Sequence, residues 1–134
     1  MFGNFQQSHL RIEVNANAQT IADSLLNTAQ LRQWLLPQVL SPDLPDKLAT
    51  GLKFTSWTGP VPVQHYVNEV GDRNLGLILS KGIDGYHQWS WGDGWLQSRL
   101  EGISLLPLNL GQTASLLRLR LYLGAKTVKS TTAI

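Results

Sequence analysis

The sequence contains no cysteine, and this absence excludes two kinds of site. Without thiols the chain can form neither disulfides nor thiolate metal centres. A chain without disulfides is compatible with a reducing compartment, and we expect a cytoplasmic location. The length of 134 residues predicts one domain over residues 1–134, large enough to bury a core without covalent cross-links. The terminal segments 1–7 and 126–134 are expected to form flexible tails.

Charge is also sparse, with eleven basic and nine acidic residues and a net charge of +2. The basic residues do not cluster into a stripe that could follow a phosphate backbone, so we expect no nucleic-acid partner. The pair Arg118 and Arg120 is interpreted as part of a solvated face. No apolar run reaches the length of a transmembrane helix, and we expect no transmembrane segment. The N-terminus lacks the charged and apolar segments of a signal peptide.

Common catalytic signatures are missing as well. The sequence has no Ser-His-Asp order, no glycine-rich phosphate loop, no HExxH motif and no pair of carboxylates expected to face inward. The missing phosphate loop excludes most nucleotide enzymes. We therefore expect no cofactor and no metal site.

The first part of the chain predicts one strand and two short helices. Residues 9–14 alternate between apolar and polar side chains, which is typical of a half-buried strand. Asn17 can cap a following helix, because its side-chain oxygen accepts from free N–H groups of the first turn. A second helix is expected to begin at a cap on Thr28. That helix ends before Pro37, because the residue preceding a proline is pushed out of the helical region.

The middle of the chain predicts an antiparallel meander. Apolar and polar residues alternate in five runs separated by short segments rich in glycine, proline and aspartate. These runs are residues 52–57, 61–70, 74–80, 85–91 and 96–103.

The last segment is ambiguous from periodicity alone. Residues 117–123 alternate, which favours a strand. Leu116, Leu119 and Leu123 also have helical spacing, and Gly124 could end a helix.

Three short segments carry a resemblance to a known superfamily. Residues 12–22 resemble the first strand and first helix of the START-like proteins, also called Bet v 1-like or SRPBCC, and in particular their polyketide cyclase/dehydrase and lipid-transport branch. Residues 31–34, ending in Trp34, resemble the end of the second helix, and residues 50–54 resemble the glycine-led strand that opens the sheet. The resemblance implies an α+β helix-grip fold, with an antiparallel sheet, two short N-terminal helices and a C-terminal helix over the concave face. It makes residues 112–124 a helix, which is short and is expected to close the cavity incompletely.

The hairpin around Gly92-Asp-Gly-Trp95 predicts which side chains face that helix. A four-residue loop pairs Trp91 with Leu96 and His87 with Leu100. Extending the same face across the meander pairs Leu77 with Trp89. The other predicted pairs are Leu75 with Trp91, Leu79 with His87, Val67 with Leu77, His65 with Leu79, and Phe54 with Val63. One face is then apolar and the other polar, so the alignment is self-consistent.

The inner face supplies the candidate site. We predict that a hydrophobic ligand would contact Trp34, Phe54, His65, Val67, Leu77, His87, Trp89, Trp91 and Leu100. The two histidines would orient the ligand as polar anchors, or alternatively are bonded to neighbouring backbone or water. The tryptophans would line the cavity or belong to a filled core, and Trp95 is expected to cap the rim of the sheet.

Three functions are compatible with these residues. The first is binding of a small hydrophobic or lipid-like molecule between the sheet and the C-terminal helix. The second is a cyclase or dehydratase that uses the cavity histidines as acid or base. The third is a protein-interaction module without a ligand, which predicts an interior void below roughly 300 Å³. The oligomeric state is left open.

Overall fold

Antiparallel pairing of neighbouring strands builds one sheet, which α-helices cover on one side. The computed structural model describes residues 3–132, with the side chains of residues 3–126, and over this range it shows seven strands and three helices. The sheet order is β1-β7-β6-β5-β4-β3-β2. This α+β helix-grip arrangement confirms the predicted fold class. The elements are β1 (Asn4–Glu13), α1 (Ala18–Leu26), α2 (Thr28–Leu35), β2 (Val39–Leu40), β3 (Lys53–Thr58), β4 (Val61–Val70), β5 (Asn74–Lys81), β6 (Asp84–Gly92), β7 (Trp95–Ser104) and α3 (Leu108–Thr132).

Asparagine side chains begin both short helices. The Asn17 side chain accepts from the backbone N–H of Thr20 at 2.9 Å, as predicted. The second cap was expected at Thr28 but is Asn27, whose side chain accepts from the N–H of Gln30 at 3.0 Å. The Thr28 hydroxyl instead donates to the carbonyl of Pro45, which ties α2 to the following loop.

The predicted strand registers are right in two hairpins and displaced in two others. Strands β6 and β7 pair Trp91 with Leu96, and β4 and β5 pair Val67 with Leu77, as predicted. Between β5 and β6, however, Leu77 lies opposite His87 rather than Trp89. Phe54 lies opposite His65 rather than Val63. Both displacements are of two residues, so the inner face keeps its predicted members.

Within the described residues 3–132, β1 and α3 extend beyond their predicted bounds. Strand β1 begins at Asn4, which pairs with Ser104, so residues 4–7 are part of the sheet and not of a tail. Helix α3 spans residues 108–132 instead of 112–124, and therefore includes most of the predicted C-terminal tail. Its first turn is fixed by Gln6, whose side-chain oxygen accepts from the N–H of Leu108 at 3.0 Å.

The strand-like alternation of residues 117–123 has a simple cause in the helix. Leu116, Leu119 and Leu123 are buried against the rest of the molecule, whereas Leu117 and Leu121 are exposed on the opposite side. Two apolar faces on one helix give leucine at every second position across this segment. The α3 helix packs against β1, β7 and α2, and so covers the inner face at the β1–β7 side of the sheet.

Candidate functional site

An apolar cavity of about 330 Å³ lies between the inner face of the sheet, α2 and the first half of α3. Of the nine predicted site residues, seven line it: Trp34, Phe54, His65, Leu77, His87, Trp89 and Leu100. Val67 and Trp91 face the same side of the sheet but are buried in the core outside this lining. Trp91 lies near the end of β6 and Val67 next to a bulge in β4, so both are beyond the middle of the sheet where the cavity lies.

Several lining residues were not among the predicted site residues. Ser56 lies on β3, and Gln112 and Ser115 lie on α3. Alternation along β3 could have identified Ser56, because it shares the inner face with Phe54. Contacts from α3 depend on how the helix crosses the sheet, which strand periodicity does not encode.

His65 is held by one hydrogen bond and one aromatic ring. Its Nε2 lies 2.8 Å from the Ser56 hydroxyl oxygen, and its ring stacks on Phe54 with centroids 4.7 Å apart and planes 5° from parallel. The other ring nitrogen, Nδ1, is buried without a hydrogen-bond partner. Burial lowers the pKa of His65 from 6.5 to about 4, because the charged imidazolium would lose its hydration. The ring is therefore neutral at pH 7.

His87 has a similar arrangement on the neighbouring hairpin. Its Nε2 lies 2.6 Å from the Ser98 hydroxyl oxygen, and its ring contacts Trp89 with centroids 4.5 Å apart. Burial lowers the pKa of His87 to about 3, with a smaller contribution from repulsion by His65. Both histidines keep part of their surface accessible because they face the cavity rather than bulk water.

A buried polar network connects His87 to α3. The Gln112 amide nitrogen donates to the Ser98 hydroxyl oxygen at 2.9 Å and to the Ser98 carbonyl at 3.0 Å. The Ser98 hydroxyl thus lies between the Gln112 amide and Nε2 of His87 and connects the two side chains. The Gln112 side-chain oxygen accepts from the Ser8 hydroxyl, so one glutamine joins α3 to β1 and β7.

The tryptophans divide into cavity, core and surface positions. The Trp34 indole donates to the carbonyl of Ser24 at 2.8 Å and packs edge-on against Trp89, with centroids 6.3 Å apart. Trp95 was expected to lie in the loop at the end of the sheet and to cap its rim, but it is a strand residue. It begins β7 on the outer face, where the Arg11 guanidinium lies 4.3 Å from its ring centroid. Gly92 makes room for it, since a β-carbon there would lie 2.4 Å from the Trp95 indole nitrogen.

Charge is missing from the cavity wall. Among the described residues, the lining contains no aspartate, glutamate, lysine or arginine, and its titratable side chains are His65 and His87. Within residues 3–132, no group of three or more histidine, aspartate or glutamate side chains is arranged to hold a metal ion. The wall offers hydrogen bonds from neutral groups and apolar surface, but no counter-charge for an ionised ligand.

The cavity opens to solvent at one end. Its lining includes four exposed residues, which are Thr58 at the end of β3, Pro107 just before α3, and Leu110 and Gly111 in the first turn of α3. The opening therefore lies between the end of β3 and the start of α3. No helix in the described part of the chain is long and apolar enough to cross a membrane.

Comparison with known proteins shows the fold and no more. No family model matches the sequence, and no curated protein matches it. Among solved structures, a protein from Chromobacterium violaceum is similar at a TM-score of 0.70 and 18% identity, with 87% of this chain and 96% of that chain covered. DynU16, a protein of the dynemicin biosynthetic locus, is similar at a TM-score of 0.67 and 18% identity over 88% of this chain. The match covers 47% of DynU16, so this chain spans about half the length of that protein. A hypothetical protein from Helicobacter pylori is similar at a TM-score of 0.61 and 17% identity, with 90% of this chain and 88% of that chain covered.

Proposed function

We propose that the protein binds a small, uncharged hydrophobic or lipid-like molecule in the cavity between the sheet and α3. The observation that carries this proposal is an apolar cavity of about 330 Å³ whose titratable groups are two neutral histidines. This volume lies at the lower end of the range of ligand pockets, which favours a small ligand. The helix-grip fold and the sequence segments around Trp34 and Phe54 support membership of the START-like superfamily. The absence of cysteine supports a cytoplasmic location.

The chemistry of the wall favours a neutral ligand. Moving an ionised group from water into an apolar site costs several kcal/mol unless a counter-charge receives it. Neither histidine supplies that charge at pH 7, because both are deprotonated. The unpartnered Nδ1 of His65 is instead suited to a hydroxyl or carbonyl of the ligand.

Binding is better supported than either alternative function. A general acid or base works best with a pKa near the working pH, and the pKa values of these histidines are about 4 and about 3. An interaction module without a ligand predicts a filled interior, with a void below roughly 300 Å³. The cavity is larger than that bound and is lined mostly by apolar side chains.

Fluorescent probes of different charge test this proposal directly. Neutral N-phenylnaphthylamine should bind in the cavity, whereas anionic anilinonaphthalene sulfonate should bind at least about tenfold more weakly because no cation lines the wall. Trp89→Ala removes an aromatic wall and should reduce neutral-probe affinity by about tenfold. Trp57→Ala is the matched control, because Trp57 is exposed on the outer face of β3.

Native mass spectrometry of protein purified without detergent complements the probes. A reproducible bound mass that is lost in folded Trp89→Ala and kept in Trp57→Ala would identify the natural ligand class. Equal probe binding by the two variants, or preference for the anionic probe, would contradict the proposal.

A further inference from the structure

The outward side of α3 carries an apolar stripe that no described element covers. Leu110, Leu117 and Leu121 are 67%, 52% and 75% exposed. Their spacings of seven and four residues place them on one side of the helix, because about 3.6 residues complete a turn. The buried residues Leu116 and Leu119 face the opposite direction.

Positive charge flanks this stripe on both sides. Arg118 and Arg120 lie about 80° around the helix axis from the stripe, one on each side of it. The sequence of α3 contains neither aspartate nor glutamate. Arg120 is exposed, and Arg118 donates to the Ser115 hydroxyl at 3.2 Å. Within the described part of the chain, neither arginine forms a salt bridge.

We propose that this outer leucine face, formed by Leu110, Leu117 and Leu121 with Arg118 and Arg120 beside them, docks on an anionic lipid bilayer. A helix with leucines on one side and flanking basic residues lies in the plane of the bilayer surface. The leucines enter the boundary between headgroups and acyl chains, and the exposed Arg120 side chain extends to the lipid phosphates, while the half-buried Arg118 adds positive charge beside them. The cytoplasmic surface of cell membranes is anionic, which fits the sign of the charge.

Charge decides against a second copy of the chain as the occupant. Pairing two outer leucine faces would bring the arginines of both copies together, with no acidic residue on either helix to neutralise them. Like charges at a contact reduce its stability. An anionic bilayer receives the same apolar surface and attracts the same charges.

The face is continuous with the opening of the cavity. Leu110 belongs both to the outer leucine face and to the cavity lining. Docking would therefore hold the opening at the bilayer surface. The proposal itself does not require a cavity ligand, so membrane binding and probe binding can succeed or fail separately.

Vesicle co-sedimentation tests the docking. The protein should bind vesicles of phosphatidylcholine mixed with phosphatidylserine, and bind pure phosphatidylcholine vesicles far more weakly. Leu117→Gln combined with Leu121→Gln should reduce the partition coefficient at least about tenfold. Val39→Gln combined with Ile78→Gln is the matched control, since both residues are exposed at positions outside α3, and it should bind normally.

The charge contribution has its own variant. Arg120→Gln should weaken binding to phosphatidylserine vesicles about fivefold, and added salt should reduce this difference. Thermal unfolding establishes that every variant is folded before it is compared.

Three outcomes would overturn the proposal. They are failure of the native protein to bind phosphatidylserine vesicles, equal loss in the α3 and control variants, and a dimer in sedimentation velocity that the α3 variant dissociates. The last result would assign the face to a second copy.

Discussion

Each cavity histidine is positioned by a serine on the adjacent strand. In one hairpin the pair is Ser56 and His65, and in the other it is Ser98 and His87. The two pairs differ in the hydrogen bonds that their side chains make beyond the pair. Ser98 is bonded to Gln112 on α3, whereas His65 retains a buried nitrogen without a partner. An unpaired buried polar atom costs free energy, so His65 is the histidine that gains most from a ligand hydroxyl or carbonyl.

The lowered pKa values predict a specific dependence of stability on pH. Each histidine has a folded pKa below its unfolded value of 6.5, so the unfolded chain binds more protons between those values. The stabilisation is complete above pH 6.5 and is lost as pH falls toward about 4 for His65 and about 3 for His87. The free energy of unfolding should fall by up to about 1.4 kcal/mol per histidine for each pH unit in this window. Urea denaturation between pH 7 and pH 4 measures the slope.

His65→Gln combined with His87→Gln should remove most of this slope. His9→Gln provides the control, because His9 is exposed and bonded to Glu101 on the outer face. A slope that survives in the double variant and disappears in His9→Gln would assign the pH dependence to the surface instead.

Among the elements, α3 is joined to the sheet by one fully buried polar side chain, Gln112, in addition to the contacts of its first turn. Gln112 is buried and bonds to Ser8 on β1 and Ser98 on β7. Replacing it removes buried hydrogen bonds to the hydroxyls and carbonyls of Ser8 and Ser98, and each such bond contributes about 0.5–1.5 kcal/mol. The same contacts orient His87, so the helix and the cavity wall are positioned together.

Gln112→Ala should therefore lower the free energy of unfolding by at least about 2 kcal/mol. Thr113→Ala is a suitable control on the next residue, because its hydroxyl bonds within α3 to the carbonyl of Asn109 and not to the sheet. That control should cost less than about 1 kcal/mol. Chemical denaturation of both variants gives the comparison, and equal losses would show that the network does not fix α3.

Alternation along the strands predicted the inner face correctly but could not determine every register. A period of two separates inward from outward side chains, and displacements of two residues leave that separation unchanged. The pairs of Leu77 with His87 and of Phe54 with His65 therefore required the turn geometry as well. In the hairpin around Asp93 the predicted register is correct, although the connection is the turn Asp93-Gly94 and not a four-residue loop, because Gly92 and Trp95 pair with each other.

The sequence also could not reveal the extent of α3 or its contribution to the cavity. Leucines on both sides of the helix imitate the pattern of a strand, so the helical interpretation depended on the resemblance to START-like proteins. Seven of nine site residues line the cavity because the strand pattern and the aromatic content identified the inner face. The lining residues Gln112 and Ser115 depend on where α3 crosses, which is a property of tertiary packing.

For the molecule as a whole, the cavity provides space for a ligand but lowers the stability of the protein when no ligand is bound. Protein interiors are normally close-packed, and an unfilled apolar space lacks the dispersion contacts that its wall would otherwise make. A bound ligand restores those contacts and stabilises the folded state by mass action. A larger side chain inside the cavity would restore them permanently, at the expense of the space for a ligand.

Leu77→Phe tests this relation, because Leu77 lies on the central strand β5 and lines the cavity. Filling part of the space should raise the free energy of unfolding by about 0.5–2 kcal/mol and increase Tm by about 2–8 °C. The affinity for neutral N-phenylnaphthylamine should fall at least about fivefold, because the remaining space is smaller. Thermal unfolding and a fluorescence titration of the same preparation measure both effects. If the variant is more stable but binds the probe with unchanged affinity, the probe binds outside the cavity. If the variant is less stable and keeps its affinity for the probe, the cavity wall near Leu77 is already closely packed.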